Sequence, residues 1–181
     1  MDELLAPDSR SVGALLNTET GETRPVTLED FHRYATRVQL NDAVPEQIRE
    51  HFITALHLGV YSWFVYRFTM LSQQQAYATL EWALRERLVR SRKRRPSFAE
   101  LLTEALDTGL LKGRLFKQWT LIGGDPTDDQ AADAWLRDVA EMVRTFRNEL
   151  AHGSWQLVPM HWTVLHIVAD AVNQLYPGEE N

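Results

Sequence analysis

Apolar side chains along most of this chain recur every third or fourth residue, the period of a helix with one buried face. Ala76, Leu80, Leu84 and Leu88 repeat every fourth residue. Ala132, Trp135, Leu136, Val139, Met142, Val143, Phe146 and Leu150 make a second seam, and Leu165, Val168, Val172 and Leu175 a third. Start and stop signals bound these runs. Pro45 suits a first helical position and opens a long helix to about Leu71. Ser72 with Gln75, Ser97 with Glu100 and Thr127 with Gln130 read as the starts of three more helices. Gly109, Gly123-Gly124-Asp125-Pro126 and Gly153 are breaks; Pro159 opens the last helix and Pro177-Gly178 follows it. Leu110 to Ile122, with Gly113 inside it, reads as a short helix.

Residues 1–43 have a different pattern. Gly13 to Asn17 and Thr23 to Thr27 flank a turn around Gly21, which predicts a short β-hairpin. Thr27, with Asp30 at the capping-box position, starts a short helix through Val38. Asn41-Asp42-Ala43 is the next break. The expectation is an all-α protein. Residues 44–181 form an up-and-down bundle of four to five helices, and residues 1–43 a small appendage with a hairpin and a short helix.

The 181 residues suffice for one domain with a real core. Cysteine is absent, which excludes disulfides, a thiolate nucleophile and Cys-ligated zinc. The acidic start Met1 to Pro7 does not read as a signal peptide. Phe52 to Leu71 is apolar and about the length of a membrane span. It contains Thr54, His57, Ser62, Arg67 and Thr69, and no basic cluster flanks it, so a buried central helix is the expectation. A soluble, cytoplasmic protein follows, with no membrane partner.

The net charge of −6 argues against a general nucleic-acid binder, but its distribution is uneven. Between Arg85 and Lys117 there are ten Lys or Arg against four acids, a local +6 that leaves −12 for the remainder. Arg90, Arg92, Lys93, Arg94 and Arg95 form the densest run. Two readings stand: a polyanion-binding face, or a solvated loop between helices.

The stretch Arg147-Asn148-Glu149-Leu150-Ala151-His152-Gly153 gathers a guanidinium, an amide and an imidazole at the end of a charged helix. Arg binds phosphate oxygens through a planar fork of donors. His exchanges protons near neutral pH, and Asn can orient either. The same residues also suit a helix C-terminus, where cations complement the macrodipole and glycine supplies the left-handed stop. Arg147 and His152 are separated by roughly 7.5 Å of rise and roughly 140° of rotation on an ideal helix. They converge only if the helix frays, or they serve a composite site made with a second copy.

Other candidates are weaker. His51 and His57 lie in an apolar helix as packing or surface residues. His161 and His166 lack the spacing of a zinc site. Asp128, Asp129 and Asp133 suit a helix N-terminus, without the glycine-bearing loop of an EF-hand. No phosphate-binding or nucleotide-binding glycine motif and no nucleophile elbow is present. Neither a cofactor nor a metal is implied. Trp119, Trp135, Trp155 and Trp162 read as core or interface aromatics, with base stacking an option for Trp155 alone.

Arg147-Asn148-x-x-x-His152, placed at the end of a helix in a helical bundle, resembles the signature of HEPN (higher eukaryotes and prokaryotes nucleotide-binding) domains. Ala76 to Leu88, a stretch that contains alanines and glutamates, looks like the early helix of bacterial HEPN-like proteins. The resemblance covers roughly Val44 to Tyr176. It implies a homodimer whose motifs face each other and RNA as the partner, without a metal. It also implies a role as a toxin or phage-defence effector, with a protein partner such as an antitoxin. Arg147, Asn148 and His152 would be catalytic, and cleavage through the 2′-OH would leave a 2′,3′-cyclic phosphate. One departure stands out. Toxins paired with nucleotidyltransferases tend to carry Tyr two residues after the His, and here that position is Ser154. The alternative is a non-catalytic HEPN-like module that binds RNA or a protein.

Overall fold

A computed structural model describes residues 5–89, 95–152 and 160–178. Within them the chain is an all-α bundle with a two-stranded hairpin near its N-terminus. Strand β1 (Ala14–Leu16) pairs antiparallel with β2 (Thr23–Pro25), Leu15 opposite Arg24. Then come α1 (Leu28–Thr36), α2 (Glu46–Tyr61), α3 (Phe68–Leu88), α4 (Phe98–Asp107), a short α5 (Lys117–Leu121), α6 (Asp129–Ala151) and α7 (His161–Leu175). Helices α2, α3, α4, α6 and α7 make up the body of the bundle, and α1 belongs to the appendage.

Helix α3 is the centre, packed on α2, α4, α6 and α7. Its sequence accounts for this. Ala76, Tyr77, Leu80, Ala83 and Leu84 are all buried, so apolar atoms face several neighbours rather than one. Phe52 and Ile48 from α2, Leu101 from α4 and Leu165, Val168 and Val172 from α7 close the core around it.

Two expected helix starts hold. The Asp30 carboxylate accepts the Thr27 amide at 2.9 Å, and Arg24 on β2 forks onto the same carboxylate, tying hairpin to helix. At α4, Glu100 accepts the Ser97 amide at 2.7 Å and Ser97 Oγ accepts the Glu100 amide at 3.3 Å. Gly109 ends that helix region with φ of +69°, a conformation other residues rarely adopt.

Other boundaries differ from the sequence reading, each for a physical reason. Helix α2 stops at Tyr61 instead of running to Leu71, because the corner before α3 is held from outside. The Asp8 amide donates to the Trp63 carbonyl at 2.9 Å, and the Asp8 carboxylate accepts the Tyr66 amide at 3.1 Å. Ser11 Oγ donates to the Ser62 carbonyl at 2.7 Å. Ser72 consequently lies inside α3, fully buried, and its hydroxyl donates to the Ala55 carbonyl of α2 instead of capping a helix. Thr127 gives both its amide and its hydroxyl to Asp125, which leaves Asp128 to cap α6 by accepting the Ala131 amide.

Leu110 to Ile122 is not one helix. A single 3-10 turn at Gly113–Leu115 precedes α5. Side chains of the bundle accept the backbone amides there: Gln174 that of Lys112, Asp133 that of Gly113 and Asp170 that of Lys117, all at 2.8–2.9 Å. The approach is so close that a Cβ on Gly113 would lie 1.9 Å from the Ala132 carbonyl oxygen. Gly153 and Pro159 lie outside the described residues. Among the described residues no helix is long and apolar enough to cross a membrane, and the Phe52–Leu71 run is split by the corner between α2 and α3.

His161, the first residue of α7, is 5% exposed and packs against Trp162 and Phe31. Among the described residues neither ring nitrogen has a hydrogen-bond partner. Burial pushes its pKa down from 6.5 to about 4. The fold therefore accepts the neutral ring, while the unfolded chain takes up the proton first. Stability is full above pH 6.5 and falls as pH drops towards 4, by about 3 kcal/mol at the limit. In urea titrations between those pH values, His161→Leu should flatten this decline. Parallel declines in the two proteins would rule His161 out as its source.

Candidate functional site

Helix α6 turns Val139 and Val143 into the core, with Phe146 and Leu150 packed at its edge. Arg147 follows Phe146 and so stands at the border of the buried face. Its side chain is 34% exposed. The guanidinium Nη2 donates to Glu81 Oε2 on α3 at 2.8 Å, and its central carbon lies 5.8 Å from the Phe98 ring centroid at the start of α4.

Glu81 serves a second cation. Its Oε1 accepts from Arg85 Nη2, one turn further along α3, and Arg85 Nη1 donates to the Pro96 carbonyl at 2.9 Å. Burial by itself would raise the Glu81 pKa. The hydrogen bonds from Arg85 and Arg147 outweigh it and hold the carboxyl below its ordinary range. Glu81 and Arg85 were not among the site residues expected from sequence. The available signal was a charged i,i+4 pair on a helix otherwise buried on most sides, where charges stay only when partnered.

Asn148 and His152 face solvent. The Asn148 Oδ1 is 3.5 Å from Arg147 Nη1, at the outer limit of a hydrogen bond. His152 is the C-cap of α6, and its backbone amide donates to the Asn148 carbonyl at 3.0 Å. Among the described residues no hydrogen bond joins Arg147 to His152. The structure brings Arg147 together with Glu81, Arg85, Pro96 and Phe98, and leaves Asn148 and His152 on the outside of the same helix end.

Arg95 is exposed, while Arg90, Arg92, Lys93 and Arg94 lie outside the described residues. Pro96 is bonded to Arg85 and Phe98 lies under Arg147, so the C-terminal flank of the basic segment meets the Arg147 end of α6.

The remaining candidates have structural surroundings. His51 Nδ1 lies 2.8 Å from Thr79 Oγ1, which also lies 2.9 Å from the Gln75 carbonyl, so the imidazole is tied into a side-chain hydrogen-bond chain between α2 and α3. The rings of Trp119 and Trp135 pack 5.8 Å apart, and Trp162 contacts Phe31 and Tyr34. Trp155 and Ser154 lie outside the described residues. Asp128 caps α6 and Asp133 holds Gly113. Among the described residues no group of three or more His, Asp or Glu is placed to hold a metal ion. Set against known proteins, the chain matches no family model, no curated protein and no solved structure.

The Glu81 pairing makes a measurable claim. Glu81→Gln removes the anion that two part-buried guanidiniums share, and should cost about 1–2 kcal/mol in urea unfolding. That is the lower end for such a change, because Arg147 keeps part of its water. Arg144→Gln, which breaks only an exposed pair with Glu141, should change stability by less than about 0.5 kcal/mol. Equal effects of the two substitutions would show that Glu81 holds nothing together.

Proposed function

We propose that the protein is a metal-independent endoribonuclease of HEPN type, acting as a toxin or phage-defence effector. One observation supports this above others: the flank of the basic segment and the Arg147 guanidinium share one hydrogen-bonded cluster, beside the exposed Asn148 and His152. An RNA backbone attracted by the basic run is thereby drawn to the end of α6. There His152 takes the proton of a 2′-OH, or gives one to the leaving 5′-oxygen. The 2′-oxygen attacks phosphorus, the bond to the 5′-oxygen breaks, and a 2′,3′-cyclic phosphate remains. Arg147 stabilises the charge that builds on the phosphorane. Asn148 orients phosphate or imidazole. DNA, without the 2′-OH, resists.

Arg147 is directed inward and His152 outward, which favours a composite site formed by two copies of the chain. A second reading has its own support. Arg147 is already paired with Glu81 and does not reach His152, as in a non-catalytic HEPN-like module that binds RNA or a protein and keeps the motif for helix packing.

Pure wild-type protein should cut RNA in EDTA and leave 2′,3′-cyclic ends. His152→Ala should abolish cutting with the fold intact, since an exposed helix-end His contributes at most about 1 kcal/mol through the dipole. Arg147→Lys should be severely impaired, because an ammonium lacks the planar fork, and Asn148→Ala less so. Intact RNA after treatment with wild-type protein, or full activity of His152→Ala, would leave the binding module as the better account.

A composite site predicts complementation. Mixed and refolded together, Arg147→Ala and His152→Ala chains should recover cleavage that neither has alone, and light scattering should show a dimer. A strict monomer at micromolar concentration sinks the two-copy arrangement.

For the basic run, replacing Arg92, Lys93, Arg94 and Arg95 with Gln should weaken RNA binding. The slope of log affinity against log salt should flatten by about 0.7 for each single-strand phosphate that the variant no longer neutralises. An unchanged slope would mark the run as a solvated loop.

A further inference from the structure

We infer that Arg85 is a positioning residue that couples the Arg95–Pro96 backbone to Arg147, so that polyanion contact at Arg95 and placement of the guanidinium are one event. The inference rests on the ribonuclease reading above and adds a residue to it. Arg85 lies one turn beyond Glu81 on α3 and uses its two terminal nitrogens in different directions. Nη2 donates to Glu81 Oε1 and Nη1 to the Pro96 carbonyl at 2.9 Å. The other oxygen of Glu81 holds Arg147 at 2.8 Å, and the Phe98 ring lies beneath that guanidinium. Pro96 and Phe98 are two residues apart, so the contacts close a ring through Pro96, Arg85, Glu81, Arg147 and Phe98.

The side chains of Arg85 and Glu81 are only 20% and 18% exposed, which leaves little room for either to swing away. A shift at Pro96 is therefore passed on to Arg147. The residue before Pro96 is Arg95, the exposed last member of the basic run. A phosphate bound there pulls on the backbone beside the carbonyl that Arg85 holds. An ordinary i,i+4 helix pair explains the contact with Glu81 and leaves the one with Pro96 unexplained. A planar guanidinium can bridge the two acceptors in fixed directions, whereas an ammonium is a point charge.

The test uses the full-length protein, a cleavable RNA, and the same sequence as a 2′-O-methyl oligonucleotide, whose blocked oxygen cannot attack. With RNA, Arg85→Lys should lower kcat by on the order of tenfold to a hundredfold, the scale of a small misplacement. KM should stay within about twofold, because Arg85→Lys keeps the positive charge and leaves Arg95 in place. Arg144→Gln should change neither. An unaltered kcat in Arg85→Lys, or a change in KM alone, overturns the inference.

With the methylated oligonucleotide, the side-chain Nε–Hε NMR signals of Arg85 and Arg147 in the wild type should shift together, with one midpoint. In Arg85→Lys the Arg147 signal should lose its response while that of Arg95 keeps it. Arg147 shifting without Arg85 in the wild type disproves the coupling, whether or not a variant folds. If the wild type leaves RNA uncut, the ribonuclease reading fails, and this titration still decides whether Arg85 links the two regions.

Discussion

A carboxylate that has lost most of its water stays ionised only if cations replace the solvent, and at Glu81 two guanidiniums do so. The packing of the Arg147 end of α6 depends on this arrangement. Glu81 stands on α3, the helix on which the rest of the bundle packs, so its position is set by the core. Arg147 arrives from α6, and Arg85 reaches across to the segment that enters α4. Without the carboxylate, two cations would face each other across a partly dry gap. With it, three elements distant in sequence are tied to one point, leaving a net positive charge among the three side chains.

Distant groups likewise satisfy exposed backbone amides and carbonyls at two other places. The corner between α2 and α3 has no glycine or proline to define it. Its free backbone groups are taken up by Asp8 and Ser11, 51 to 58 residues upstream. The stretch after Gly109 is likewise fixed by Gln174, Asp133 and Asp170. In both cases irregular backbone would otherwise present unsatisfied amides and carbonyls beside a packed core. The N-terminal segment is thus more than an attachment. It completes the turn that sets where α3 begins, and hence the phase of the helix that carries Glu81.

This explains which features were legible in the sequence. The hairpin, the caps at Thr27 and Ser97 and the stop at Gly109 depend on residues within a few positions of each other, and all were readable. So was the all-α class, which follows from helical periodicity over most of the chain. The α2–α3 corner was not readable, because its determinants lie far upstream and Ser72 imitates a cap while bonding across to Ala55. Thr127 misled by one position for a local reason, since Asp125 claims its donors first. At the site, Arg147, Asn148 and His152 stood out because they are adjacent in sequence. Glu81 and Arg85 did not, because their meaning comes from a contact across 66 positions. A charged pair on a helix with an otherwise buried surface was the one available hint.

The two ends of the Arg-Asn-His stretch differ in how far they are prepared for chemistry. Arg147 has its geometry fixed by Glu81 and Phe98, so under the ribonuclease reading it would give up little side-chain freedom on binding a phosphate. His152 is exposed at the helix end, without a side-chain partner among the described residues. An imidazole in open water has no defined direction for proton transfer, and its electrostatic partners are screened. Under the ribonuclease reading, a surface must therefore cover His152 before it can work beside a guanidinium that points the other way round the helix. On that reading a second copy of the chain supplies that surface, and assembly itself is a condition for activity. Under the binding-module reading no such cover is needed, because the inward Arg147 is sufficient to lock α6 onto α3 and the outward His152 completes a helix end.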